Sequence, residues 1–248
     1  MRFERALRLA GYNWPLYVFA GSAAAGGVAA ALTVGSPLLR GLAFITALGA
    51  TWFAAASFLA FHWMFDRSEL TRWRWLAEEL GEPARWVQVH AGLEEASAPK
   101  DALPRSEGQA LDVYDPAVMT EPAIAQARRD RPLTAVPARF DALPVENGWA
   151  DAVVVILVAH EIRDAGRRGR FFRELARILS EEGTLVLVEH LRDLPALLAF
   201  GPGVFHFLPR SEWLRRGPEA GLRLVRERKI TPFVRVFFFR KSEPASGV

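Results

Sequence analysis

The apolar and charged positions divide the chain into two unlike parts. From Gly11 to Leu39 no residue is charged, and Trp14 to Val34 reads WPLYVFAGSAAAGGVAAALTV. A second uncharged run, Gly41 to Phe65, reads GLAFITALGATWFAAASFLAFHWMF. A helix needs roughly 20 apolar residues to cross a bilayer core, and both runs reach that length. The pattern predicts a transmembrane hairpin over residues 1–66, with helices at about 14–34 and 41–65. A cleaved secretory signal fits less well, because its apolar core is shorter and a second apolar run does not normally follow at once. Small residues at Ser22, Gly26 and Ala30, and at Ala50, Ala54 and Ser57, predict the packed faces. His62, near the end of the second run, is expected at the membrane interface.

After Asp66 the periodicity changes. Residues 68–80 (SELTRWRWLAEEL) predict a juxtamembrane helix within a linker at 67–83. Short apolar runs then predict strands at 84–92, 109–115, 152–160 and 184–190, with a closing antiparallel pair within 222–241. Helical stretches lie between them at Glu121 to Arg129 and Arg167 to Leu179. Continuous apolar runs such as 152–159 suit strands buried on both faces. The alternation predicts an α/β domain over 84–241, a Rossmann-like doubly wound, mostly parallel sheet with an antiparallel terminal strand, and a tail at 242–248.

Composition and charge refine this picture. The chain is 51% hydrophobic and 24% charged, which excludes a disordered chain. It has no cysteine, which excludes disulfides, thiolate metal sites and cysteine nucleophiles. Residues 1–74 hold seven Arg against three acids, a net of +4, while the whole chain is +3; the remainder is therefore close to neutral. The basic balance consequently gives no case for nucleic acid as a partner. Arg2, Arg5 and Arg8 before the first span and Arg67, Arg72 and Arg74 after the second put both termini and the large domain in the cytoplasm, on the plasma (inner) membrane.

Two stretches, FDALPVENGWADAVVVILVAHEIRD at 140–164 and FFRELARILSEEGTLVLVEH at 171–190, resemble class I S-adenosylmethionine-dependent methyltransferases, in the branch that methylates quinones and phospholipids. The resemblance implies that S-adenosylmethionine is the cofactor. It implies that Asp141, with Ala142 beside it, meets the adenine, and that Asp112 or Asp115 meets the ribose. It places His160 and Glu161 where cofactor and substrate meet. In the first motif Gln88 stands where the family has an acid, His90 and Glu94 stand where it has glycines, and Gly92 is the glycine kept. Two functions follow from this mixture. One is a membrane-anchored methyltransferase acting on a hydrophobic, bilayer-resident small molecule. The other is a non-catalytic subunit that has lost the cofactor and binds a membrane protein complex.

The five histidines (62, 90, 160, 190, 206) show no HxxxH or HExxH spacing, so no metal is expected. The arginines at 163, 167, 168, 170 and 173 are expected on a solvated helix face. Residues 191–213, apolar and broken by Pro and Gly, are expected to form a lipid-facing lid or a protein interface.

Overall fold

The computed structural model describes residues 3–92, 98–130 and 135–242. A short helix absent from the expected hairpin, α1 (Glu4–Tyr12), precedes the two long ones, α2 (Trp14–Thr33) and α3 (Pro37–Phe61), and α3 ends in a π-helical turn at His62–Arg67. The spans α2 and Pro37–Arg67 are both long and apolar enough to cross a membrane. Helices α2 and α3 pack side by side, most tightly at Gly27, where an added Cβ would lie 2.7 Å from the Ala43 carbonyl oxygen. The packed line on α2 is Ala20 and Gly27; Ser22 and Gly26 face outward, so the face expected from four-residue spacing is rotated. On α3, Ala47 and Ser57 are buried, and the Ser57 hydroxyl lies 3.2 Å from the Tyr17 hydroxyl. Phe19 and Leu32, 74% and 80% exposed, typify the outer surface, which is the surface a lipid solvent favours.

The end of the hairpin is tied to α1. Asp66 accepts hydrogen bonds from the backbone N–H groups of Arg5 (3.1 Å) and Ala6 (3.2 Å), two of the donors that a helix start leaves unpaired. His62 Nδ1 lies 2.9 Å from the same carboxylate, and its ring packs on Phe3. His62 is buried in this joint. The expected helix at 68–80 is split: a 3-10 turn at Glu69–Thr71 precedes α4 (Arg74–Leu80), with Trp73 at φ +57° between them.

The domain follows as β1 (Arg85–His90), α5 (Ala98–Ala102), β2 (Glu107–Asp112), α6 (Pro122–Asp130), β3 (Val136–Pro137), β4 (Ala150–Ile156), α7 (Ala165–Ile178), β5 (Leu179–His190), α8 (Leu194–Phe200), α9 (Arg210–Glu219), β6 (Leu222–Thr231) and β7 (Val234–Lys241). The sheet order is β3-β2-β1-β4-β5-β7-β6, with β7 antiparallel to both its neighbours and the remaining pairs parallel. This is the expected doubly wound sheet. Side-chain alternation sends Val153, Val155, Leu185, Leu187, Phe237 and Phe239 into a core under α7 and α9. Val154, Ile156, Val186, Val188, Val236 and Phe238 enter a second core under α4, α8 and the end of α3. Two buried faces explain why these strands read as unbroken apolar runs. Boundaries differ from expectation: β2 ends at Asp112 rather than 115, β4 ends at Ile156 rather than 160, and the turn expected at 180–183 is absorbed into β5; the two-residue β3 carries no pattern of its own.

The arginines of α7 are not all solvated. Arg168 is buried, and its Nε donates to Glu212 Oε1 of α9 at 2.9 Å; Arg216 Nε donates to the same oxygen at 2.7 Å. Burial would raise the Glu212 carboxyl, but the hydrogen bonds from Arg216, Arg215 and Arg168 outweigh it and hold it down at about 2.

Candidate functional site

The carboxyl ends of β1, β4 and β5 open onto a cavity of about 300 Å³ whose other wall is the N-terminal helices. Leu16, Phe53 and Phe61 of the hairpin face Phe200 and Phe207 across it, and the polar end holds His160, Glu161, His190 and His206. Ligands bind at this edge in open α/β sheets, because the loops leaving neighbouring strands part there. The position after β4 is strained: Leu157, on the cavity wall, has φ +52°.

Parallel pairing of β4 with β5 brings the 3-10 turn Ala159–Glu161 beside Glu189 and His190. Glu189 Oε1 accepts from the Ala159 N–H at 2.8 Å, and its Oε2 lies 2.6 Å from His160 Nδ1. His160 Nε2 is 3.2 Å from Glu161 Oε1, and His206 Nε2 reaches the same oxygen at 3.0 Å. His206 arrives on a 3-10 turn, Gly201–His206, pinned by Arg163 donating to its carbonyl and by Arg192 Nε donating to the Phe207 carbonyl at 2.9 Å. Its Nδ1 lies 3.6 Å from Glu121.

These contacts set the charge states. Burial would lower His160, but the Glu189 charge and the hydrogen bonds to Glu161 and Glu189 outweigh it and hold the imidazole up at about 10. Burial would raise Glu161, but hydrogen bonds from His160 and His206 hold it well below the usual carboxylate range. His190 is pushed down to about 3 by burial, reinforced by the His160 charge, and its Nδ1 donates to the Phe233 carbonyl at 3.1 Å.

The residues assigned to the cofactor do not gather in this way. Of them only Gly92, at φ +109°, lines the cavity. Gln88 is buried within β1, between β2 and β4. Asp112 stands at the end of β2, but Arg128 of α6 donates to both its oxygens, at 2.8 and 2.7 Å, and to the Ala91 carbonyl at 3.1 Å, while its guanidinium lies over Tyr114. Asp115 lies beyond the strand and accepts from the Ala117 N–H within its own turn. Asp141 pairs with Arg139 (3.0 Å) and Arg170 (3.7 Å), and Ala142 closes a tight turn on the Arg139 carbonyl. His90, which ends β1 opposite Asp112, is buried with neither ring nitrogen partnered among the described residues. Burial holds it neutral. Glu94 lies outside the described residues. The expectation of no metal, drawn from spacing, did not anticipate that His160, Glu161 and His206 would meet. Sequence reasoning gave Glu121, Arg128, Glu189 and His206 no site role; a strand-end position hinted at Glu189, and the segment around His206 was marked only as a lid or interface, with no role for the histidine itself.

Residues 108–187 match the family described as methyltransferase domain. No curated protein matches the chain. Among solved structures, a SAM-dependent methyltransferase from Aquifex aeolicus superposes with a TM-score of 0.52 at 16% identity, over 72% of this chain and 92% of that one. An S-adenosylmethionine-dependent methyltransferase from Clostridium acetobutylicum gives 0.51 at 9% identity, over 75% and 98%. At such identities the likeness is one of fold.

Proposed function

We propose that the chain is a membrane-anchored methyltransferase that admits a hydrophobic, bilayer-resident small molecule to the cavity between hairpin and sheet and holds its polar end at His160 and Glu161. The observation that carries this reading is the shared wall: the helices long enough to enter a bilayer line the same cavity as the strand-end polar cluster. Leu194, Leu197, Leu198 and Phe205 are exposed beside α3, where Trp52 Nε1 donates to the Leu198 carbonyl at 2.8 Å. An apolar ridge at that level suits the membrane surface and supports entry of the guest from the lipid. The arginine flanks support a cytoplasmic domain on the plasma membrane.

The residues fit S-adenosylmethionine on one condition. The positive-φ Gly92, the His90 imidazole, unpartnered among the described residues, and the Asp112 carboxylate make a polar floor at the ends of β1 and β2, and Arg128 must release Asp112 before a ribose can use it. When bound, that cofactor supplies an electrophilic methyl group. The chain's own share is positioning the acceptor and excluding water. Glu161, ionised and held by His160 and His206, presents a fixed negative charge at the polar end of the cavity that would orient a hydrogen-bond donor of the guest. Calorimetry on the detergent-purified full chain tests the reading: S-adenosylmethionine gives saturable heat that Asp112→Ala abolishes, and silence at millimolar cofactor overturns it.

The Arg128 clasp on Asp112 favours a second reading, a cofactor-free binding subunit of a membrane protein complex. On that reading the protein co-purifies with partners in mild detergent and binds no cofactor even as Arg128→Ala.

A further inference from the structure

The two histidines that meet Glu161 are oriented alike. Each turns Nε2 toward Glu161 Oε1, at 3.2 Å for His160 and 3.0 Å for His206. Each turns Nδ1 toward an outer carboxylate, Glu189 at 2.6 Å and Glu121 at 3.6 Å. A histidine that gives its Nδ1 proton to a carboxylate presents a bare lone pair at Nε2, which is how metal-bound imidazoles are commonly held. Without a metal each Nε2 carries the proton that bonds Glu161 Oε1; the three atoms converge within 4.8 Å of one another, and a divalent ion would take the place of those protons. Ligand atoms around a tetrahedral ion at about 2.1 Å are spaced about 3.4 Å apart, close to the separations seen.

We infer that His160, Glu161 and His206 form a binding site for a divalent transition-metal ion, opening on the apolar cavity, with Glu189 as the carboxylate that orients the His160 imidazole and Glu121 facing the far side of His206 at 3.6 Å. Glu161 and Glu189 are both buried around His160, so a divalent ion that displaces the imidazole protons is met by two carboxylates. Two imidazoles and one carboxylate suit zinc or another borderline ion rather than calcium or magnesium. Open positions on the ion would face the cavity, where an oxygen of the guest could bind it. The inference does not depend on methyl transfer.

The test is Zn²⁺ titration of the full chain in detergent after chelator stripping, followed by calorimetry and X-ray absorption. One ion per chain with micromolar or tighter affinity and two imidazole ligands is expected. His206→Ala and Glu161→Gln each weaken binding at least 100-fold, and Glu189→Gln, acting through His160, weakens it about 10- to 100-fold. His206 sits on a partly exposed turn, so His206→Ala keeps the melting temperature of the stripped protein and separates lost ligation from lost fold. Failure of the folded protein to take up Zn²⁺ or Mn²⁺, or uptake that the three variants leave unchanged, overturns the inference. S-adenosylmethionine titrated into the same samples keeps the outcomes apart: metal uptake without cofactor heat sinks methyl transfer and leaves this site standing.

Discussion

Arg128 decides what the end of β2 can do. Its guanidinium holds both Asp112 oxygens and the Ala91 carbonyl, at the point where a ribose would need the carboxylate free. A charge-assisted bidentate contact contributes on the order of 1.5–3 kcal/mol, which a ligand must offset before it binds. Arg128→Ala is therefore expected to tighten S-adenosylmethionine binding about tenfold or more in calorimetry. Unchanged or weaker binding would mean that the clasp is part of the site. Leu157 is a second residue of this kind, holding φ +52° on the cavity wall. Leu157→Gly relieves that strain but removes a buried core side chain, so the melting temperature should fall, by less than the loss of a core leucine at unstrained backbone would give, and affinity for an apolar guest should fall with it.

Among the elements, the hairpin and the α7–α9 pair bear on stability in different ways. Gly27 lets α2 approach α3 until an added Cβ would lie 2.7 Å from backbone oxygen. Gly27→Val should cost about 1–3 kcal/mol by overpacking, read as a lower melting temperature in detergent. Ser22→Val and Gly26→Val on the outward face should leave it nearly unchanged, the opposite of what four-residue spacing suggests. Glu212 ties α9 to α7 through Arg168. Its carboxyl sits at about 2 in the fold against 4.5 unperturbed, so its contribution is present above pH 4.5 and is lost as pH falls toward 2. Because the group is only partly buried, the full shift is discounted for screening, leaving about 2 kcal/mol. Urea unfolding of the wild type and Glu212→Gln should show that gap at pH 7, closing on acidification; a gap that persisted below pH 2 would contradict it.

For the whole molecule, the main expectation is that the domain hangs from the membrane with its cavity turned toward the lipid. The chain has no cysteine, so a single introduced thiol is the only one present. With Ser36→Cys in the connecting turn, a membrane-impermeant thiol reagent added to intact cells should label the protein. With Arg223→Cys on β6 it should label only after lysis. The reverse pattern would invert the orientation read from the arginine flanks.

The sequence alone was enough for the two long apolar helices and the class of a doubly wound, mostly parallel sheet with an antiparallel end; the strand order and the two-residue β3 came from the fold. The helices and the sheet class are written in local runs: 25 residues of α3 need no partner to declare their length, and Val153 to Ile156 read as apolar because both faces of β4 are covered. His160 and Glu161 were singled out through the family resemblance, and the fold places them on the cavity wall in the turn after β4. The tertiary structure decided the rest of the site. Glu189 reaches His160 and His206 reaches Glu161 from two other segments, Glu121 faces His206 from a third, and α1 becomes a cavity wall with Asp66 fastening it to the end of α3. Whether Asp112 is free or clasped depends on α6, sixteen residues further along. The physical reason is the range of the interactions: periodicity is set by neighbours two to four positions away, whereas charge state and ligand geometry depend on distances of about 3 Å between segments that only the fold brings together.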